Sequence, residues 1–172
     1  MSLKLIKRLF RHLFIWPGAV RRHFSNDAMR RIEAAIAVSE ITHLGEICFV
    51  IETNLHVFDI FRKKSGKKRA IEVFSQLHVW DTAQNNGVLI YLLLADHDFE
   101  ILADRGIHQH VGNSGWEAIC QHMEAMFRQG QFESGVLYGI AQISQQLAKH
   151  YSVEGLGVGG NVNELKNTPI IL

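Results

Sequence analysis

Cysteine and proline are both scarce in this chain, two of each in 172 residues. Cys48 and Cys120 lie in apolar contexts, and neither opens a Cys-x-x-Cys pair or the Cys-x5-Arg loop of thiol phosphatases. Both therefore read as small buried hydrophobes in a reducing compartment. So little proline argues against long disordered stretches outside the tail. A net charge of +1 carries no global signature of nucleic-acid binding. No segment reaches the roughly 18 apolar residues of a membrane span. Lys7, Arg8, Arg11 and His12 interrupt any apolar region of a signal peptide, and no small-x-small cleavage site follows. These absences point to a cytoplasmic protein. His-Glu-x-x-His, Gly-x-Ser-x-Gly and P-loop patterns are missing as well. No organic cofactor is expected.

What is present is ordinary globular composition, 47% apolar and 20% charged. A chain of this length suits one domain and buries about 70% of its unfolded surface, so it folds without disulfide or metal. The charge is uneven. Lys4, Lys7, Arg8, Arg11, Arg21 and Arg22 all precede the first acid, Asp27. Leu5, Ile6, Leu9, Phe10, Leu13 and Phe14 follow helical spacing among those cations, and Pro17-Gly18 ends the run. Residues 1–23 thus form a basic amphipathic helix with two uses open to it. Its apolar face can pack on its own domain, or it can lie on an anionic membrane surface at the inner membrane.

Ser25 caps the next helix, whose buried face is spaced by Met29, Ile32, Ile36 and Ile41 and which ends near Gly45. Residues 47–51 are continuously apolar and β-branched or aromatic, a central strand covered on both faces. A helical stretch over 59–77 follows, with a break at Ser65-Gly66. Turn residues fill 79–87. Residues 88–95 form a second buried strand, Asp96-His97-Asp98 a turn, and 99–104 a third strand, together a hairpin. Asn113 or Ser114 opens a helix striped by Trp116, Ile119, Cys120, Met123 and Phe127, and a last helix runs from Phe132 to His150. Gly155, Gly157, Gly159 and Gly160 mark a link before the apolar end at 169–172. The domain proper spans 24–151, and 152–172 is a Gly-rich C-terminal tail. Helices between and around strands that are apolar on both faces give an α/β fold, a three-layer α/β/α sandwich. Its mixed, Rossmann-like sheet combines a right-handed parallel crossover with an antiparallel hairpin.

Residues 70–74, Trp80-Asp81-Thr82, 85–91 and 103–107 stand in an order that resembles the TPM domain, and Asn163-Glu164-Leu165 resembles the ending of a bacterial cytoplasmic branch of that family. The resemblance implies a Rossmann-like sandwich, divalent-cation binding, and the phosphatase assignment made for some members. Many members are secreted or membrane-tethered, features this chain lacks. Where many relatives carry an acid before the penultimate helix, this chain has Asn113.

Topology supplies candidate chemistry. The hairpin's first strand begins where its second ends, and a parallel first strand begins there too. Glu46, Asp81, Asn86 and Asp104 would then converge, with Arg69 and Arg105 as anion or phosphate contacts. Hard oxygen donors in loops suit Ca2+ or Mg2+. The competing reading has Asp81 capping its loop, Asp104 paired with Arg105 or Arg69, and Glu46 solvated. Asp96-x-Asp98 reads as turn-forming, because Glu100 stands where a haloacid-type phosphatase motif needs Thr or Val. His108-x-His110, on an extended segment, reads as two solvated side chains, since no third zinc ligand stands at the needed spacing. Trp80 and Trp116 read as core anchors, and the basic clusters 62–64 and 67–69 as a solvated helix face. Two functions follow: a cation-binding domain with weak phosphomonoester hydrolysis, or a non-enzymatic module acting near the membrane with a membrane protein or the bilayer as partner.

Overall fold

A computed structural model describes residues 3–16, 18–153 and 163–172. The Gly-rich segment 155–160 lies outside them. Its four strands are β1 (Ile47–Glu52), β2 (Val88–Leu93), β3 (Asp98–Ala103) and β4 (Ile170–Ile171), in the order β3-β2-β1-β4. β1 pairs in parallel with β2, from Ile47 opposite Val88 to Glu52 opposite Leu93, and β2 pairs antiparallel with β3. β4 adds in parallel to the free side of β1. It is a strand that composition alone does not announce, only two residues beyond the Gly-rich link.

Side chains alternate across a strand, and here both faces are apolar. Ile47, Phe49 and Ile51, with Val88, Ile90 and Leu92, enter one core. That core is covered by α2 (Ala19–His23), α3 (Asn26–Ser39), α6 (Arg105–Arg128) and α7 (Phe132–His150). Cys48 and Val50, with Leu89, Tyr91 and Leu93, enter the other, under α5 (Gly66–Gln76) and Ile60 of α4 (Val57–Phe61). The result is the expected three-layer α/β/α sandwich with a mixed sheet. α4 and α5 form the parallel crossover.

Local details differ from the sequence reading. α3 stops at Ser39, and Ile41 is 72% exposed rather than buried. α6 starts at Arg105, capped by Asp104, so His108 and His110 are helical, not extended. Gly112 breaks this helix at φ +71°, a conformation that favours glycine, and the break conceals the first segment in the sequence. Trp116 is buried, but Trp80 is about half exposed, next to a buried Val79.

The N-terminal helix α1 (Leu3–Leu13) divides its apolar residues between two directions. Leu5 and Leu9 pack on the α4/α5 core, while Phe10, Leu13 and Phe14 face out. Asp96 fastens the helix. It accepts from Arg8 Nε at 2.8 Å and Arg11 Nη2 at 3.0 Å, and meets His12 Nε2 at 3.2 Å. His12 Nδ1 accepts the Leu55 N–H at 3.0 Å, which places the ring proton on Nε2, toward Asp96. The residue read as a turn former is therefore also an anchor.

Candidate functional site

The strand starts converge as parallel and antiparallel pairing require. The Glu46 carbonyl accepts the Val88 N–H at 2.8 Å, and the Gly87 carbonyl accepts the Asp104 N–H at 2.9 Å. Glu46, Asn86 and Asp104 thus stand on three neighbouring chain segments at one end of the sheet. The loop before β2 is held from within. Thr82 Oγ1 accepts the Asn86 N–H, and Asn86 Nδ2 donates to the Leu44 carbonyl at 2.9 Å. The Asn85 carbonyl accepts the Ile107 N–H, tying the loop to the first turn of α6. Gly106 lets this happen, since a Cβ there would overlap the Asn85 carbonyl oxygen.

The side chains at this end have unequal partners. Glu46 is fully buried, not solvated, and its Oε2 accepts the Leu165 N–H at 3.1 Å. Glu164 takes the Ala83 N–H with both oxygens. The Asn-Glu-Leu segment near the carboxyl end is thereby latched over the sheet end. Asp104 Oδ1 accepts the Arg105 N–H at 2.7 Å as the helix cap. Asp104 Oδ2 and Asn86 Oδ1 are buried without a hydrogen-bond partner. Such orphaned oxygens are uncommon and call for an explanation. Arg105 is exposed beside them, with Nε 3.3 Å from Asn85 Oδ1. Asp81 is exposed in the loop. Among the described residues no three His, Cys, Asp or Glu side chains gather into a metal cage. The two unpartnered oxygens are a carboxylate and an amide oxygen, both hard donors.

Arg69 is elsewhere. Its Nε donates to Glu52 Oε2 at 2.8 Å, at the far end of β1. Six residue steps of strand, about 20 Å, separate Glu52 from Glu46. The solvated-face reading of the basic clusters fails for two members, since Lys64 pairs with Asp59 and Glu72 and Arg69 with Glu52 and Glu72.

Two features escaped sequence reasoning. Glu40 is buried beside Glu46 and accepts the Ile47 N–H at 3.0 Å. Burial raises its carboxyl to about 7, partly opposed by that hydrogen bond, with Glu46 adding to the rise. The second is a groove of 570 Å3 along β3, lined by Asp98, Glu100, Trp116, Glu117, Cys120 and Glu124 among others. Burial and neighbouring acids raise Asp98 to about 6 and Glu100 to about 7. The acids come from β3 and α6, and only the tertiary pairing brings them together. Both cysteines are free, and burial raises both thiols to about 12.

The fold and this sheet end define a Rossmann-like α/β/α domain with its polar loops at the start of the parallel strands. The chain belongs to the TPM domain family, whose model matches residues 21–146. It is similar to the solution structure of the BA42 protein from the psychrophilic bacterium Bizionia argentinensis, with 28% identity and a TM-score of 0.74 over 87% of this chain and 95% of that one. The N-terminal domain of a P. gingivalis protein shares the fold at 16% identity and a TM-score of 0.61, over 74% of this chain and 80% of that one. No curated protein matches. Among the described residues no helix is long and apolar enough to cross a membrane.

Proposed function

We propose that this TPM domain is a non-enzymatic interaction module that docks on an anionic membrane surface through α1. The observation that carries the reading is the outward face of that helix. Phe10, Leu13 and Phe14 are 56%, 53% and 74% exposed, and Trp16 just beyond is 78% exposed. Exposed Lys4 and Lys7 flank them. Leu5, Leu9 and Asp96 hold the opposite side, so the apolar face does not serve the core. Each Lys or Arg near an anionic bilayer contributes about 1 kcal/mol, and this attraction fades within a Debye length. The full chain should cosediment with phosphatidylserine-containing vesicles at low salt and be released at high salt. Phe10→Ser with Phe14→Ser should weaken binding about tenfold or more, a loss of at least ~1.4 kcal/mol, with the melting temperature unchanged. A full chain that ignores the vesicles at low salt sinks the reading.

A second reading rests on the orphaned Asp104 Oδ2 and Asn86 Oδ1, with the family resemblance behind it. These two oxygens would hold Ca2+ or Mg2+, and exposed Arg105 would steady an approaching phosphate. When bound, such an ion polarises a phosphoryl oxygen, which is the chemistry of weak phosphomonoester hydrolysis. Asp104→Asn separates the roles of this residue, because asparagine caps a helix as well as aspartate does but carries no charge. Saturating Ca2+ should raise the melting temperature of the parent chain. Ligand at a hundred times its Kd stabilises by about 2.7 kcal/mol. Asp104→Asn should lose that increment while melting normally in chelator. Equal calcium shifts in both proteins would assign the ion to another place.

A further inference from the structure

β3 is the edge of the sheet, and among the described residues no strand lies beyond it. The Asp104 N–H to Gly87 carbonyl bond fixes which pairs of the hairpin are hydrogen-bonded, because such pairs alternate in an antiparallel ladder. Leu102, Glu100 and Asp98 turn their backbone groups toward β2. Phe99, Ile101 and Ala103 turn theirs outward, along the groove that runs between α5 and α6; the Ile101 N–H meets the Cys120 thiol, and the edge is open at Phe99 and Ala103. An open edge of this kind is a template for another strand.

The groove has a sign. Asp98, Glu100 and Glu117 line it against Lys67, while Glu124 on the same wall is paired with Arg128 at 3.0 Å. It also holds an unused donor. Trp116 is 4% exposed, lines the groove, and its indole N–H is buried without a partner. A buried indole N–H ordinarily finds an acceptor, and an incoming strand brings a row of carbonyls.

We propose that this groove binds an extended basic segment of a partner protein, which adds to the edge of β3 as a further strand and sets its Lys or Arg side chains against Asp98, Glu100 and Glu117. The backbone ladder provides affinity and the alternate side chains provide selectivity, as in other strand-addition complexes. A second copy of this chain is the natural competitor for an open edge, but it would bring its own Asp98 and Glu100 to the same acids. Like charges set opposite each other across strands are destabilising. The groove therefore selects a cationic guest and discourages self-pairing.

The test uses the full chain and a fluorescent peptide of alternating lysine and valine, read by fluorescence polarisation. It should bind at low salt, and an alternating glutamate-valine peptide should not. Glu100→Gln with Glu117→Gln should weaken binding about tenfold or more. A lysine-valine peptide N-methylated on the edge that faces β3 keeps its charge but cannot donate to the ladder, and it should lose binding to the same degree. This last arm needs no variant of the protein. Equal binding of the methylated and unmethylated peptides overturns strand addition. Binding that ignores the two glutamates, or a chain that dimerises through β3 and excludes the peptide, overturns the proposal as a whole.

Discussion

Replacing Arg69 with methionine should destabilise the chain by about 3 kcal/mol, the lower end of what is lost when one partner of a buried ion pair is removed. Glu52 ends β1 at 8% exposure. It accepts from Arg69 Nε at 2.8 Å and from the Tyr91 hydroxyl at 2.6 Å, and Arg69 Nη1 continues to Glu72 at 3.1 Å. Burial, followed by the bond to Glu52, pushes the Tyr91 hydroxyl well above its ordinary range, so the phenol keeps its proton and goes on donating. Bonds to Glu52 and Glu72 hold Arg69 above its ordinary range. Methionine fills similar space and leaves the Glu52 charge buried with only a phenol beside it. For a domain of this size each kcal/mol moves the melting temperature by about 2–4 °C, so a drop of roughly 6–12 °C is expected. Adding Glu52→Gln to Arg69→Met should restore a good part of the loss, since it removes the stranded charge. A double variant that is merely additive would show that the two side chains do not work as a pair.

That the phosphate role drawn for Arg69 from sequence sits at the wrong end is a lesson in topology. In a parallel crossover the helix begins where the first strand ends. Ser65 caps α5, and Arg69 lies in the first turns of that helix, so it belongs beside Glu52 and not beside Glu46. The same rule that brought Glu46, Asn86 and Asp104 together should have excluded Arg69. The strands themselves were legible because β1 and β2 are apolar at every position but Tyr91 and the closing Glu52. β4 was not, since two isoleucines have no period to read. The split of α1 was half legible. Leu5, Leu9 and His12 follow one another at helical spacing, and a histidine at the end of an apolar stripe signals a partner. Nothing in the local sequence says that the partner is Asp96, 84 residues away. The acidic groove was invisible for the same reason. Asp98 and Glu100 alternate with buried Phe99 and Ile101 along β3, which reads as a strand with one solvated face, until α6 brings Glu117 and Glu124 to that edge.

Asp96→Asn is expected to release α1 from the body and to lower stability by about 3 kcal/mol. The Asp96 side chain is 11% exposed and meets Arg8, Arg11 and a His12 side chain that is 1% exposed. Burial by itself would raise this carboxyl, but the bonds from His12 and Arg8 outweigh it and hold the pKa below its ordinary 3.8. A depressed carboxylate contributes stability that is complete above the ordinary value and is lost as pH falls through the lower folded one. The parent should thus gain stability on raising pH out of the acid range, and Asp96→Asn should lack that share of the gain. α1 has 11 residues, too few for an isolated helix to persist in water. Once undocked it should lose helical signal and expose Lys7, Arg8 and Arg11 to trypsin. Cleavage there should precede any cut in residues 24–151, and the exposed Leu5 and Leu9 should make the variant bind apolar dyes. Parent-like melting with an unchanged tryptic pattern would mean that Leu5 and Leu9 alone hold the helix, and that the Asp96 cluster is incidental to its docking.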